Sequence, residues 1–250
     1  MTLPNDAALH KIQFYVTAPY NCGYIRGRQA QSLIAAPHHL IDAGIYGELI
    51  RSGFRRSGKF VYRPHCENCK ACIPVRIPVA DFHPSRSQRR ARHQHGNLIA
   101  TILPASFSME HFRLYQAYQL ARHTDEPAEQ DTDEQYRNFL VQSNVESRLI
   151  EFRLNGALKM VSVVDLVTDG ISAVYTFYDT ADTACSYGTY GVLWQVDWAR
   201  HLGKPYLYLG YWIAESRKMA YKQKFAPLQA LCDGKWLALE QIDAGRLQQK

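Results

Sequence analysis

The sequence has little cysteine, no long apolar run and no basic leader, and each absence excludes a class of protein. Six cysteines in 250 residues are too few for the disulfide framework of a small secreted domain. No apolar run approaches the roughly 20 residues that a helix needs to cross a bilayer. The first residues, MTLPNDAALHKIQFYV, lack the basic-then-apolar order of a signal peptide. We therefore expect a cytoplasmic protein without a membrane link.

Positive charge is concentrated in one segment of the chain, whose formal net charge is +6. Between Arg51 and His93 there are eleven Lys or Arg and only two acids, Glu67 and Asp81, so this segment has a balance of +9 and the remainder −3. A diffuse excess is usually a solvated surface, but a concentrated one favours a polyanionic partner. Charge alone does not identify RNA, which also requires aromatic or shape-reading surfaces.

The two halves of the chain have different patterns. Residues 10–103 combine short apolar pieces with many Gly, Pro and His, which predicts an irregular N-terminal region. Three β-rich runs between residues 148 and 179 are joined by Asn155-Gly156 and Asp169-Gly170, dipeptides that supply the positive φ angles of tight hairpins. Helices are predicted at 108–123, 133–142 and 187–203, and a further strand at 205–213. We expect an α+β protein that divides into residues 1–103 and 104–250.

Three cysteines lie at equal spacing in YRPHCENCKACIPVRIP, residues 62–78. Thiolates at C-x2-C spacing can bind one metal ion together, and three of them followed by Ile-Pro are similar to runs that hold iron–sulfur clusters. Buried reduced cysteines are the alternative. We predict one zinc or iron–sulfur site that fixes the basic segment, on Cys22, Cys66, Cys69 and Cys72. Other sources of the fourth ligand are His65, Cys185 and Cys232.

Long blocks of the sequence resemble one family. FRRSGKFVYRPHCENCKACIPVRIPVADFHPSRSQRR, residues 54–90, resembles the N-terminal signature of the bacterial aspartate/glutamate leucyltransferases, relatives of the arginyl-tRNA–protein transferases. SAVYTFYD (172–179), YGTYGVLWQVDWARHLGKPYLYLGYWI (187–213) and KMAYKQKFAP (218–227) resemble that family's C-terminal signature. Two positions depart from the pattern: Tyr187 replaces a Leu, and Gln229 stands near a position that is acidic in the family.

The resemblance implies an enzyme that moves leucine from leucyl-tRNA to proteins beginning with Asp or Glu and so creates a degradation signal. It also implies a catalytic domain with the fold of the GCN5-related N-acetyltransferases, and no organic cofactor. An acetyl-CoA-dependent N-acetyltransferase is one alternative, but its glycine-rich pyrophosphate turn is incomplete in SYGTYG. A non-catalytic, metal-braced RNA-binding module is another, and it leaves the C-terminal half without a role.

Transfer from an aminoacyl ester needs orientation, a proton acceptor and hydrogen-bond donors, because the ester is already activated. We predict that Asp179 is the base or the carboxylate that orients the amine, with a turn residue as the alternative. Tyr178, Tyr187 and Tyr190 are predicted to donate to the ester carbonyl or to stack on the terminal adenine. Among sixteen tyrosines, packing in the core or on the surface is the competing interpretation.

Two groups of cations have separate predicted partners. The planar fork of arginine suits a carboxylate, so the acidic side chain of the acceptor protein is assigned to Arg55, Arg56 and Arg76. Contacts to the RNA backbone are assigned to Arg89, Arg90, Arg217, Lys218 and Lys222. Lys218 and Lys222, four residues apart, would share one helical face. The alternative for both groups is plain surface charge.

Overall fold

The N-terminal part of the chain forms a small sheet. The computed structural model describes residues 11–122, 131–181 and 186–242. Its first strands are β1 (Gln13–Val16), β2 (Tyr20–Asn21), β3 (Gln29–Ala30), β4 (Ser32–Ala36), β5 (Arg55–Ser57) and β6 (Phe60–Pro64). Four of them form an antiparallel sheet in the order β1-β4-β6-β5, and β2 pairs with β3. We call the four-stranded unit the small sheet.

Eight further strands form one large mixed sheet. They are β7 (Ile73–Pro78), β8 (Ile99–Pro104), β9 (Ser147–Leu154), β10 (Ala157–Val167), β11 (Gly170–Tyr178), β12 (Tyr206–Trp212), β13 (Gln229–Cys232) and β14 (Lys235–Ala238). Their order is β14-β13-β7-β12-β11-β10-β9-β8. Neighbours are antiparallel except β11 and β12, which are parallel.

Helices cover both faces of the large sheet. They are α1 (Ala43–Arg51), α2 (Arg86–Gln94), α3 (Met109–Arg122), α4 (Asp133–Tyr136), α5 (Tyr187–His201) and α6 (Arg217–Ala220). A π-helical turn, Arg137–Val141, continues α4, and 3-10 turns occupy His38–Leu40, Tyr221–Lys224 and Leu239–Gln241. Apolar residues of α5 pack on one face of the sheet with Met160 and Ile171. On the opposite face, α3 packs near Val161 and Val163, and α1 with the small sheet packs near Val167.

Most predictions for the C-terminal half are confirmed. The meander consists of β9, β10 and β11, and Asn155 and Gly156 both have positive φ at its first turn. The predicted helices at 108–123 and 187–203 are α3 and α5, and the predicted strand at 205–213 is β12. The mixed α and β composition is therefore confirmed.

The prediction that residues 10–103 are irregular is wrong. This part of the chain contains β1–β8, α1 and α2, and its β7 lies between β12 and β13 within the large sheet. Its strands are only two to six residues long, too short for an alternating pattern to be recognised. Since β8 ends at Pro104, the expected boundary after residue 103 falls at the end of a sheet strand. The two-domain division itself stays a prediction.

A buried ion pair joins the small sheet to the large one. Arg56 on β5 donates from Nε and Nη2 to the two carboxylate oxygens of Asp165 on β10, at 2.6 and 2.7 Å. Ser147 on β9 contacts both partners, accepting from Arg56 Nη2 at 3.1 Å and donating to Asp165 Oδ1 at 2.6 Å. The Arg56 and Asp165 side chains are 1% and 0% exposed. The pair thus fixes β5 against the centre of the large sheet.

Replacing Arg56 by Leu is expected to lower the free energy of unfolding by about 3–5 kcal/mol, because Asp165 is then a buried charge without its partner. Urea unfolding measures the change. The matched control is the double variant Arg56→Leu with Asp165→Leu, which should recover much of the loss since no unpaired charge remains. A single variant as stable as the unaltered protein would contradict this role.

Candidate functional site

The parallel strands β11 and β12 separate part-way along their length. They pair only over Gly170–Ser172 and Tyr206–Tyr208. Each strand has one extra residue directly beyond the last pair, Val174 against β10 and Leu209 against β7. Such bulges bend a strand and increase its twist. Both strands stay paired with their outer neighbours, so a gap opens between Val174–Tyr178 and Gly210–Trp212. We call this gap the cleft.

Gly210 permits the bend in β12. Its φ is +71°, a backbone conformation that glycine adopts without the steric cost of a side chain. A Cβ on Gly210 would lie 3.8 Å from Nη1 of Arg55, so the bend is also where the small sheet approaches the large one. The pattern of PYLYLGYWI predicts an ordinary strand without this bend. A glycine inside a strand pattern was the available signal, because it often marks a bulge.

Arg55 reaches the cleft from the small sheet. Its guanidinium carbon lies 6.0 Å from the ring centroid of Tyr62 and 5.7 Å from that of Tyr211. With Gly210 it lines a cavity of about 20 Å³, enough for one water molecule. In the parts of the chain that the structure describes, no carboxylate pairs with Arg55 and no hydrogen bond from it is seen. Arg55 is therefore a partly buried cation beside aromatic rings, with Lys222 and Cys72 close enough to feel its charge.

Lys222 lies against β12 beside the cleft and is buried. The residue is only 5% exposed, and its ammonium donates to the carbonyl of Tyr211 and lies 3.3 Å from Sδ of Met219. Burial and the charge of Arg55 lower the pKa of Lys222 to about 7. This burial disfavours the predicted RNA contact, which stays a prediction; α6 ends at Ala220 and a 3-10 turn follows. This change of helix type turns Lys222 inward, away from the face of exposed Lys218.

Of the three predicted tyrosines, Tyr178 lies at the mouth of the cleft. It ends β11, accepts a hydrogen bond from Arg122 and has its ring 4.9 Å from that of Tyr118. Tyr187 and Tyr190 belong to the first turn of α5 and are buried, with ring centroids 4.5 and 5.4 Å from His95. The competing interpretation, packing in the core, describes these two well.

Asp179 has both carboxylate oxygens engaged. Oδ2 accepts from Nζ of Lys159 at 2.7 Å, and Oδ1 accepts from the amide of Ala181 at 3.0 Å. These two hydrogen bonds lower the pKa of Asp179 below its usual value. A carboxylate with a depressed pKa is a weaker proton acceptor. The geometry favours the alternative of a turn residue, and the catalytic role stays a prediction.

Two of the predicted acid-binding arginines are occupied by other contacts. Asp165, Ser147 and the carbonyl of Gly58 take the donors of Arg56. These contacts favour a structural role, and its assignment to substrate stays a prediction. Arg76 is 7% exposed and lies between the rings of Tyr206 and Trp236, 3.5 and 4.3 Å from their centroids.

Arg76 makes its hydrogen bonds to neutral groups. Its Nε donates to Gln229 Oε1 at 2.8 Å and its Nη1 lies 3.4 Å from the hydroxyl of Tyr208. Gln229 is the position near which the family is acidic, so here the partner of Arg76 is neutral. The assignment of Arg76 to substrate stays a prediction, although two rings lie close against its guanidinium.

The other predicted RNA contacts are exposed. Arg89 and Arg90 lie on α2, whose surface forms a shallow groove with Arg86 and His93. A capping box of Ser85 and Gln88 begins this helix. Arg217 and Lys218 are exposed at the start of α6.

The four predicted metal ligands lie in one neighbourhood: Cys22, Cys66, Cys69 and Cys72. Burial, together with the charges that the other three thiols can carry, raises the pKa of Cys72 to about 12. Arg28 Nη1 donates to Sγ of Cys69 at 3.4 Å, a contact that suits a thiolate. Within residues 11–122, 131–181 and 186–242, however, no group of three or more His, Cys, Asp or Glu is arranged to hold a metal ion. The metal site stays a prediction.

The alternative fourth ligands do not complete a metal site among the described residues. His65 is exposed, and Cys232 lies on β13 against the core beneath α5. Cys185 lies outside the described residues.

Comparison with known sequences identifies the family. The family description "Arginine-tRNA-protein transferase, N terminus" matches residues 20–90, and "Arginine-tRNA-protein transferase, C terminus" matches residues 110–232. An aspartate/glutamate leucyltransferase of Methylobacillus flagellatus is 67% identical over 94% of this chain and 95% of its own. The chain belongs to the bacterial aspartate/glutamate leucyltransferase family. Two further aspartate/glutamate leucyltransferases support this assignment. The one of Thiobacillus denitrificans is 55% identical over 95% of this chain and 99% of its own. The one of Chromobacterium violaceum is 54% identical over 92% of this chain and 94% of its own.

Solved structures give only distant likenesses to this leucyltransferase family member. FemX superposes with a TM-score of 0.48 at 9% identity, over 89% of this chain and 87% of FemX. L-PGS from Bacillus licheniformis gives 0.42 at 10% identity, over 67% and 48%. Scores this low do not establish a shared fold. Among the helices of the described residues, none is long and apolar enough to span a bilayer.

Proposed function

We propose that this protein transfers leucine from leucyl-tRNA to the α-amine of proteins that begin with Asp or Glu, which marks them for degradation through the N-degron pathway. The observation that carries the proposal is the near full-length identity of 54–67% to three aspartate/glutamate leucyltransferases. The partners are then leucyl-tRNA and the acidic N-terminus of a protein. A cytoplasmic location and the absence of a membrane link stay predictions.

The transfer needs little chemical assistance from the protein. The α-amine nitrogen attacks the ester carbonyl, the new amide C–N bond forms, and the ester C–O bond breaks. The proton lost by the amine goes in net terms to the ribose hydroxyl that leaves. With a pKa of about 8, roughly a tenth of a free α-amine is already neutral at pH 7. Orientation of amine and ester is therefore the main contribution expected of the cleft.

The cleft also supports the proposed GCN5-related fold. An antiparallel meander, β9–β11, is followed by α5 and then by a parallel strand, β12, that diverges from β11. A ligand in a gap between two strands can contact backbone groups and side chains of both strands. We place the aminoacyl ester in this gap, within the proposed catalytic unit of residues 104–250 and next to elements of residues 1–103.

Arg55 is the residue we assign to the acidic side chain of the acceptor protein. It is partly buried at the cleft with rings of Tyr62 and Tyr211 as neighbours. A cation that is taken out of water without an anion is costly, and an incoming carboxylate would supply the missing partner. Arg76 is the second candidate, since its hydrogen-bond acceptors are also neutral.

With leucyl-tRNA, the unaltered protein should transfer leucine to an Asp-initiated peptide much faster than to its Asn-initiated counterpart. Arg55→Ala should lower kcat/KM for the Asp peptide about 10- to 100-fold, the value of a lost charged hydrogen bond of about 1.5–3 kcal/mol. The Asn peptide should be little affected. The matched control is Arg63→Ala, another arginine of the small sheet that contacts an aromatic ring.

Three results would contradict these assignments. Absence of transfer by the folded, unaltered protein contradicts the function, and activity with acetyl-CoA instead would favour the acetyltransferase alternative. If Arg76→Ala no longer distinguishes the Asp peptide from the Asn peptide while Arg55→Ala still does, the acid-binding role belongs to Arg76.

The exposed cations of α2 are proposed to bind the RNA backbone. Arg89→Ala and Arg90→Ala should each weaken tRNA binding, and the slope of log affinity against log salt should become shallower by about one per variant, because one fewer counterion is released. A salt titration of tRNA binding measures this slope. Equal slopes in both variants and the unaltered protein would place these arginines outside the RNA interface.

Metal binding by Cys22, Cys66, Cys69 and Cys72 remains a proposal that no step of the transfer depends on. Protein prepared without air should contain about one zinc site or one iron–sulfur cluster per chain. The double variant Cys69→Ser with Cys72→Ser should contain neither metal. Fully active protein that contains neither metal would contradict the proposal.

A further inference from the structure

The outer face of the small sheet carries a row of side chains that leads to the cleft. Tyr15 of β1 lies opposite Ile34 of β4, Ile34 opposite Tyr62 of β6, and Tyr62 opposite Arg55 of β5. Residues opposite each other in a sheet share one face. The other face is the buried one, where Ala35, Val61 and Arg56 lie opposite one another and are 1–2% exposed. The row therefore lies on the less buried face: Tyr15 is exposed, whereas Ile34, Tyr62 and Arg55, where the row ends, are partly buried.

Large aromatic side chains on this face are exposed. Tyr15 is 55% exposed and Phe60, which lies two residues before Tyr62 and so on the same face, is 59% exposed. Tyr20 is 46% exposed and is held over the sheet by a 2.6 Å hydrogen bond between its hydroxyl and that of Ser32. Single exposed apolar residues are ordinary, but a group of rings on one sheet face is typical of a binding surface.

The charge of this part of the chain favours an anionic occupant. Residues 11–64 contain eight Lys or Arg and two acids; three of the cations, Arg28, Arg51 and Arg56, are engaged in ion pairs, which leaves five. Rings rimmed by cations are the means by which proteins bind single-stranded nucleic acid, since every base has a face that stacks and the backbone is anionic. The row from β1 to β5 covers three spacings between strands of about 4.8 Å each. That length, roughly 14 Å, accommodates a stack of about four to five bases at ~3.4 Å per step.

We infer that the outer face of the small sheet stacks the unpaired nucleotides at the 3′ end of the RNA substrate and so directs the ester at its end into the cleft. The inference rests on the proposed function, because it assigns a place to the RNA of that same reaction. It differs from the role proposed for α2, which contacts the backbone through charge alone. Stacking on Tyr15 and Phe60 orients the end of the strand.

The test uses the full chain with Tyr15→Ala and Phe60→Ala combined. Base stacking on an aromatic ring contributes about 1–3 kcal/mol per base, so the KM for leucyl-tRNA should rise about 5- to 100-fold per base lost. Both side chains are exposed, so the variant should fold. Tyr15→Phe, which retains the ring, should stay near the unaltered protein. The matched control is Ile99→Ala, an apolar residue 68% exposed on β8 at the edge of the large sheet.

A second measurement separates the RNA end from the rest of the RNA. The unaltered protein should bind uncharged tRNA at least about five-fold more tightly than the same tRNA shortened by its unpaired 3′ nucleotides. The double alanine variant should bind both forms alike, with the weaker affinity.

Three outcomes are informative in different ways. If the unaltered protein transfers leucine but the double variant keeps its KM for leucyl-tRNA within two-fold, the inference is overturned and the proposed function stands. If the KM for the acceptor peptide rises instead, the face binds protein, and the inference is again wrong. If the unaltered protein binds tRNA but transfers nothing, the proposed function fails while the binding comparison still tests the surface.

Discussion

The ion pair between Arg56 and Asp165 is the contact on which the rest of the site depends. Side chains alternate between the two faces of a strand, so fixing Arg56 inward, against β10, turns its neighbour Arg55 outward. Two consecutive arginines thereby have opposite roles. Arg56 has its donors occupied by Asp165, Ser147 and Gly58, whereas Arg55 lies beside rings and has no carboxylate partner among the described residues. A buried pair of this kind adds little net stability over apolar packing, and its value here is the placement of β5.

The large sheet provides the complementary part of the site. Extra residues at Val174 and Leu209 bend β11 and β12 at the same level, and Gly210 accommodates the bend. The hydroxyl of Tyr211 donates to the carbonyl of Gly53 at 3.0 Å, so the diverging strand is tied to the small sheet. Leucyl transfer requires only that an amine and an ester meet in a defined orientation, and a cleft between two strands of the large sheet, with a cation of the small sheet beside it, suits that requirement.

Local signals in the sequence predicted the elements, and contacts between distant parts of the chain decided the site. Asn155-Gly156 and Asp169-Gly170 predicted the meander because they act within one turn, and the apolar run before Gly203 predicted α5 for the same reason. No local pattern distinguishes Arg55 from Arg56, since the difference arises from Asp165, 109 residues away. Lys222 is buried and does not share a face with Lys218, because helical spacing does not extend beyond Ala220, where α6 ends. The four cysteines were expected together and do lie near one another, but spacing does not fix ligand geometry.

The most direct measurement of the central claim is an experimental structure of the protein bound to a peptide that begins with Asp. We expect the Asp side chain to lie about 2.7–2.9 Å from the guanidinium nitrogens of Arg55, as in charge-assisted pairs, with the peptide's α-amine facing the gap between β11 and β12. Arg56 should keep its contacts to Asp165. A carboxylate bound at Arg76, or at a surface away from the cleft, would contradict the account.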